Sequence, residues 1–213
     1  MRVLSVNVGQ PREIHFGNGP VLSSIFKTPV EGRVAARGYN LQGDRQADLT
    51  VHGGPWKAVY LYPSEHYPYW AEALSGMELP FGVFGENLTT EGLTEESAHI
   101  GDQFRIGSTI LQVTQPRMPC FKLALRFRRA DMVRRFWQSG RSGIYFSIVR
   151  EGDLGRGDSI EQIQAGPEQV SVAEVVRLFK REIIDRDLFL RTLRTPLHGS
   201  WKEEIRARWA EAE

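Results

Sequence analysis

The pattern of apolar residues, glycine and proline changes near Gly166-Pro167, and this change limits the folds that the chain can adopt. Before this point, glycine and proline separate short runs of β-favouring residues. After it, apolar residues recur at helical spacing. We therefore predict two domains. Residues 1–165 form a mainly β domain with short helical inserts, and residues 166–213 form a small domain of three helices.

The short β-favouring runs predict closely spaced strands, as in a barrel or a sandwich. They are Val3 to Val8, Ala58 to Tyr62, Phe104 to Ile106, Ile110 to Thr114, Ile144 to Val149 and Ile160 to Ile163. We expect Ile144 to Val149 to be buried on both faces, because it is mostly apolar. Two helices interrupt the strands. The first begins at Ser64 as its N-cap and ends at Gly76, and the second runs from about Pro119 towards Gly140.

The tail carries two sequence signals for the start of a helix. Ser171 with Glu174, and Ser200 with Glu203, both fit the capping box, in which a serine and a glutamate cap the first turn reciprocally. A third helix is predicted over Asp187 to Leu193. Helices this short need mutual packing to persist, so we expect them to pack together.

The balance of charge argues against a nucleic-acid partner. The chain has 27 Lys and Arg against 26 Asp and Glu, a net charge of +1. Phosphate binding needs a clear cationic surplus, and the tail from Gly166 to Glu213 has none. The structural or protein-docking interpretation of the three helices is therefore favoured over a DNA-reading one.

A single cysteine, Cys120, excludes an internal disulfide and every zinc site that needs a cysteine pair. The sequence has no run of about 18 apolar residues, which a membrane span needs, and no basic start followed by a long apolar segment. We expect a cytoplasmic protein without a membrane partner.

The segment from Gln115 to Arg141 has a local charge of +7, with eight basic residues and Asp131 as its only acid. If Pro119 opens a helix, Cys120 lies in its first turn, where the helix end and the neighbouring cations favour the thiolate. Such a sulfur is a nucleophile or a ligand for a soft transition metal. The alternative is an ordinary buried cysteine beside a solvated arginine face.

Several short motifs, in this order, resemble one known family. They are Gly43 to Asp48, Val51 to Gly54, Gly82 to Leu88, Ile100 to Asp102, Pro116 to Leu123 and Arg141 to Gly143. Together they resemble the MOSC domain, the C-terminal domain of molybdenum cofactor sulfurases, in its stand-alone, YiiM-like bacterial form. The tail resembles the small helical domain that ends such proteins.

The resemblance implies a MOSC-type β-barrel that holds a molybdenum pyranopterin, with the metal on the thiolate of Cys120. It also implies reduction of N-hydroxylated compounds such as hydroxylaminopurines, with electrons from a separate flavin or iron–sulfur reductase. Larger members carry an extra β-rich region that helps to hold the pterin. Without this region, we expect the phosphate of the pterin to be bound by local residues, by a partner or by a second subunit, as in a homodimer.

Further site residues follow from this resemblance. They are Arg117, Lys122, Asn87, Arg141 and Lys57 for the cofactor, and His52 for catalysis. Arg117 and Lys122 flank Cys120 and suit a phosphate, or are only surface charges. His52 would donate a hydrogen bond or proton to the leaving hydroxyl, or is only a strand-end histidine. Asn87 would contact the pterin or a metal-bound oxygen, or only fixes its loop.

Two other functions stay open at this point. One is a non-catalytic module that carries the pterin cofactor or a sulfur group, with the tail as its docking surface. The other is a thiol enzyme without metal. A hydrolase is disfavoured because no Gly-x-Ser-x-Gly motif accompanies His52-Gly53-Gly54.

Overall fold

The structure is a computed structural model that describes residues 1–16, 19–47 and 53–210. Its strands are β1 (Arg2–Val8), β2 (Arg12–Phe16), β3 (Gly19–Ser23), β4 (Thr28–Pro29), β5 (Arg33–Arg37), β6 (Asn40–Leu41), β7 (Val59–Pro63), β8 (Leu88–Glu91), β9 (Gln103–Ile106), β10 (Thr109–Pro116), β11 (Ile144–Arg150), β12 (Gly152–Gly155) and β13 (Ile160–Gln164). Its α-helices are α1 (Tyr67–Ala73), α2 (Phe121–Phe127), α3 (Met132–Ser139), α4 (Val172–Lys180), α5 (Arg186–Arg194) and α6 (Gly199–Ala210). Single 3-10 turns cover Pro55–Lys57 and Ser64–His66.

Eight strands form one mixed sheet in the order β13-β9-β10-β11-β7-β8-β1-β4. Only β7 and β8 pair in parallel within it. The predicted barrel is not closed, because β13 and β4 end the sheet and do not pair with each other in the described ranges. The prediction that the first part of the chain is mainly β is otherwise roughly correct.

The described residues contain six α-helices, and three of them interrupt the β region. The second predicted insert is two helices rather than one. Arg128 adopts a left-handed backbone with φ of 51° and closes α2 by donating its N–H to Ala124 and Leu125. The first insert begins as a 3-10 turn in which Ser64 is the first residue, so Ser64 is not its N-cap. No helix in the described ranges is long and apolar enough to cross a bilayer.

The central strand β7 separates two apolar clusters. Val59 and Leu61 belong to a large cluster that includes strands and tail helices, whereas Tyr60 and Tyr62 belong to a second, aromatic cluster. Both faces of β7 are therefore buried. The prediction that β11 is buried on both faces is wrong, since Val149 is 50% exposed at its outer end.

The tail begins as the first capping motif predicts. The Ser171 hydroxyl accepts the Glu174 N–H at 3.1 Å, and the Glu174 carboxylate accepts the Ser171 N–H at 2.8 Å. The second capping box is wrong, because α6 already begins at Gly199 and the Ser200 hydroxyl contacts Nδ1 of His198 at 2.8 Å. Side chains of the tail join the large cluster of the β region, so the division at residue 165 stays a prediction.

Two buried tyrosines, Tyr60 and Tyr62, and two half-buried ones, Tyr67 and Tyr145, predict steep alkaline unfolding. Burial raises the pKa of Tyr60, Tyr62, Tyr67 and Tyr145 above the usual value near 10. Above about pH 10 the unfolded chain loses these protons while the folded chain keeps them. The free energy of unfolding should then fall by roughly 1.4 kcal/mol per tyrosine per pH unit.

Urea unfolding followed between pH 8 and 11 measures this slope. Tyr145→Phe should reduce the fall in the free energy of unfolding above pH 10 by the contribution of one tyrosine. It should leave the pH dependence of stability below pH 9 unchanged. A stability that stays flat above pH 10 would contradict the assignment of these phenols as buried and neutral.

Candidate active site

Cys120 lies where strand β10 leaves the sheet and helix α2 begins. It is the N-cap of α2, with an extended backbone (φ −128°, ψ 171°), so Pro119 precedes the helix and does not open it. The thiol is half-buried and makes no capping hydrogen bond.

Two neighbouring cavities meet at Cys120. The inner cavity, of about 100 Å³, is lined by Ser24, Lys27, Asp44, Arg45, Asn87, Arg117 and Lys122, among others. The outer cavity, of about 850 Å³, is lined by residues of α3, α4 and α6 together with Gln115. Lys57, Met118, Cys120 and Tyr145 line both cavities. The sulfur therefore lies at the junction of a small polar recess and a larger open cleft.

The inner cavity is strongly cationic. Among the described residues, five basic side chains line it, namely Lys27, Arg45, Lys57, Arg117 and Lys122, against one carboxylate, Asp44. Such an excess of fixed positive charge in a concave site favours an anionic ligand.

Asp44 organises the floor of the inner cavity. Its carboxylate accepts hydrogen bonds from Lys27 Nζ, from the Gly9 N–H at 2.8 Å and from Asn87 Nδ2 at 2.9 Å. Burial lowers the pKa of Lys27, and Asp44 opposes that effect. Asn87 also accepts the Tyr60 N–H at 3.1 Å, so its side chain ties the loop before β8 to β7. The loop-fixing alternative for Asn87 thus has direct contacts, and Asn87 still lines the cavity.

Arg117 is the most enclosed of the predicted basic site residues that the structure describes, with 6% of its surface exposed. It donates to the Phe84 carbonyl and lies 4.7 Å from the centroid of the Tyr60 ring. Burial alone would lower its pKa, but interactions with Tyr60, Tyr145 and Cys120 raise it instead. Arg117 is therefore a permanently charged, rigidly held cation that interacts with the sulfur.

The loop that holds Arg117 is built around a buried carboxylate. Glu86 accepts the Gly82 N–H at 2.8 Å and the Phe84 N–H at 3.0 Å, and it also accepts from the Tyr67 hydroxyl. Desolvation raises the pKa of Glu86, while these hydrogen bonds lower it. The Gly82 to Leu88 motif thus fixes the Phe84 carbonyl that receives Arg117.

Lys57 and Lys122 are brought to the same site from distant parts of the chain. Lys122 is buried in the first turn of α2. Lys57 ends the 3-10 turn after Gly54, and burial lowers its pKa while Cys120 opposes the shift. Both lysines line the inner cavity beside Cys120, as the sequence predicts.

Of the predicted site residues that the structure describes, Arg141 is not brought to this site. His52 lies outside the described residues. Arg141 lines neither cavity. It donates to the Ser139 carbonyl at 3.1 Å and lies 3.7 Å from the Tyr69 ring centroid. The charged segment from Gln115 to Arg141 therefore does not act as one surface, because its helices point the arginines in different directions.

Sequence reasoning missed several residues that shape the inner cavity. Gln46 accepts the Gly54 N–H at 2.9 Å and donates to the Lys57 carbonyl at 3.0 Å, which fixes the turn that carries Lys57. Ser24 Oγ is buried without a hydrogen-bond partner in the described structure. Lys27 and Asp44 form the ion pair described above. The motif Gly43 to Asp48 pointed to Asp44 and Gln46, but nothing in the sequence singles out Ser24 or Lys27.

These residues fit a molybdenum pyranopterin. The described residues contain no cluster of three or more metal-binding side chains, so a metal here would have to arrive with most of its other ligands. Cys120 offers one soft ligand, the cations suit a phosphate, and the unpartnered Ser24 hydroxyl suits a polar group. The inner cavity alone is too small for the whole group, part of which would lie over Lys57, Met118, Cys120 and Tyr145, the residues that line both cavities.

Comparison with known proteins is consistent across family, sequence and structure. A family model, the MOSC domain, matches residues 48–161. The protein YflK of Bacillus subtilis is 45% identical over 170 residues, which is 80% of this chain and 76% of YflK. A reductase of Gibberella moniliformis is 31% identical over 198 residues, 92% of this chain but 35% of that protein. The crystal structure of YiiM from Geobacillus stearothermophilus has a TM-score of 0.80 and 33% identity, covering 98% of each chain.

Proposed function

We propose, from the premise that the chain belongs to the MOSC domain family, that it is a molybdenum-dependent reductase of N-hydroxylated compounds. MOSC domains are associated with binding of the molybdenum cofactor. The observation that carries the proposal is the position of Cys120. Its sulfur borders a recess that the described residues line with five basic side chains and one carboxylate, and it faces a cleft large enough for a small organic substrate.

In this proposal Cys120 binds the metal, and Arg117, Lys122 and Lys57 bind the phosphate and other negative groups of the pterin. When bound, the cofactor supplies the electron pair that cleaves the N–O bond, giving the amine and water. The two protons of that reaction have to come from the protein or from solvent. In this proposal Lys57 donates one of them, since burial lowers its pKa and so makes its ammonium group a better acid. His52 remains the second proposed donor.

In this proposal the electrons of the reaction come from another protein. One relative, from Gibberella moniliformis, is named a reductase, and this chain covers 35% of it. The partner, in this proposal, is a flavin or iron–sulfur reductase.

A charge-removal pair tests the phosphate assignment. Lys122→Met should weaken cofactor retention by about one order of magnitude or more, because a buried charge-assisted hydrogen bond contributes about 1.5–3 kcal/mol. The measurement is the molybdenum and pterin retained after exhaustive dialysis of protein from a cofactor-competent host.

Arg129→Met is the matched control on the same charged segment. Arg129 pairs with Asp131 at 3.2 Å and lines neither cavity, so its loss should leave retention unchanged. Equal retention in the two variants would remove Lys122 from the phosphate site.

Turnover separates the reductase from a non-catalytic carrier of the cofactor. Molybdenum-loaded protein should convert a hydroxylaminopurine to the aminopurine with a chemical electron donor. A loaded protein that never reduces the substrate, yet passes its pterin to another apoenzyme, would favour the carrier.

A further inference from the structure

The outer cavity has a wall that belongs to the C-terminal helices. Phe179 of α4 and Trp201 of α6 line it together with Trp137 of α3 and Cys120. Its volume of about 850 Å³ lies in the range of small-molecule sites. The tail therefore contributes directly to the space in front of the sulfur.

Three aromatic rings pack edge to face along this wall. The centroids of Trp137 and Phe179 are 5.5 Å apart with planes at 86°, and those of Phe179 and Trp201 are 4.9 Å apart with planes at 61°. Rings held in this way form a rigid apolar surface. Such a surface favours a planar aromatic ligand, which can continue the edge-to-face or stacked contacts.

One polar side chain of the outer cavity is buried without a partner. Gln115, near the end of β10, is 3% exposed, and its Oε1 accepts no hydrogen bond within the described structure. A buried acceptor without a donor destabilises a folded protein, so it usually marks a ligand or water position. Arg208 lines the same cavity, but its Nε lies 3.8 Å from the Glu204 carboxylate and its guanidinium lies 4.2 Å from the centroid of the Phe179 ring.

We propose that the outer cavity binds the organic part of the substrate, a planar heteroaromatic ring that carries an N–H group. Gln115 is then a specificity-determining residue that accepts this N–H, and α6 forms the wall that positions the ring. The inference rests on the proposed function and deepens it. Since Lys57, Cys120 and Tyr145 line both cavities, a ring held in the outer cavity directs its substituent towards the sulfur.

A steric block of the α6 wall tests the location. Ser200 lines the outer cavity, whereas Arg206 on the same helix is exposed and does not. Ser200→Phe should weaken binding of a hydroxylaminopurine, and of the corresponding aminopurine, about tenfold or more, while Arg206→Phe should bind like wild type. Isothermal titration calorimetry on the full chain, with and without molybdenum, measures this without any turnover.

A second pair of variants tests the role of Gln115. Gln115→Leu should weaken binding of the aminopurine about three- to tenfold, the effect of one lost hydrogen bond, and should unfold at the same or a higher temperature. Gln112→Leu is the control, because Gln112 lies on the same strand outside the cavity and accepts from Gln103 at 3.2 Å. It should bind normally.

Unchanged affinity in both Ser200→Phe and Gln115→Leu would overturn the inference, and so would a wild-type chain that binds neither purine. A large drop in the melting temperature of Gln115→Leu would likewise show that the side-chain amide of Gln115 already has its hydrogen-bond partners within the protein. These outcomes leave the proposed function standing if turnover persists. Normal purine binding with no turnover would instead count against the proposed function alone.

Discussion

Replacing Cys120 with alanine is expected to lower the rate of hydroxylaminopurine reduction on the order of 10³-fold or more, because the variant has no thiolate to hold the metal. No other cysteine exists in the chain to substitute for it. The neighbouring cations would remain, so the pterin phosphate would keep part of its site. The loss should therefore appear in turnover and not only in substrate affinity.

The fold should survive this change. Cys120 is half-buried and makes no capping hydrogen bond, so its removal should change the free energy of unfolding by less than about 1 kcal/mol. Thermal unfolding of the variant is the control, since a normal transition separates loss of chemistry from loss of structure. Full activity in Cys120→Ala would remove the proposed mechanism.

Asp44→Ala should be the most destabilising single change in the site, at about 3–5 kcal/mol. The substitution leaves Lys27 buried without its carboxylate partner, and it also removes an acceptor from Gly9 and Asn87. Urea unfolding at neutral pH measures the loss. The surface ion pair between Arg2 and Glu91 is the matched control, because Glu91→Ala should cost only about 0–1 kcal/mol.

The pH dependence of this variant gives a second, independent signature. Without Asp44, the pKa of Lys27 should fall further below its usual value, since burial lowers it and Asp44 raises it. Between the folded and unfolded pKa values the unfolded chain then binds more protons, so Asp44→Ala should regain stability relative to wild type as the pH rises towards 10. A difference in stability that is small and constant with pH would contradict the buried ion pair.

The strands that could be predicted from the sequence are those whose own residues favour the β conformation. β1, β7, β9, β10, β11 and β13 contain β-branched and aromatic runs. β5 and β12 do not, because Arg-Val-Ala-Ala-Arg and Gly-Asp-Leu-Gly have little β preference, and they form by pairing with each other across more than a hundred residues. The capping box at Ser171 is local, and it is confirmed.

In the site, too, contacts between residues close in the sequence could be predicted, whereas contacts made by the tertiary fold could not. Arg117, Cys120 and Lys122 lie close together in the sequence and line one cavity. The sequence alone therefore predicts that they are neighbours. Arg141 belongs to the same charged segment, but α3 and the turn after it carry it onto Tyr69. Lys27 meets Asp44 only through the tertiary fold. A local charge count cannot predict such a contact.

The molybdenum content of purified protein tests the central claim most directly. Wild-type chain and Cys120→Ala, expressed in the same host with an intact cofactor pathway, would be analysed by elemental mass spectrometry together with a pterin assay. The account predicts stoichiometric molybdenum in the wild type and almost none in the variant. Equal molybdenum in the two proteins, or none in either, would contradict it.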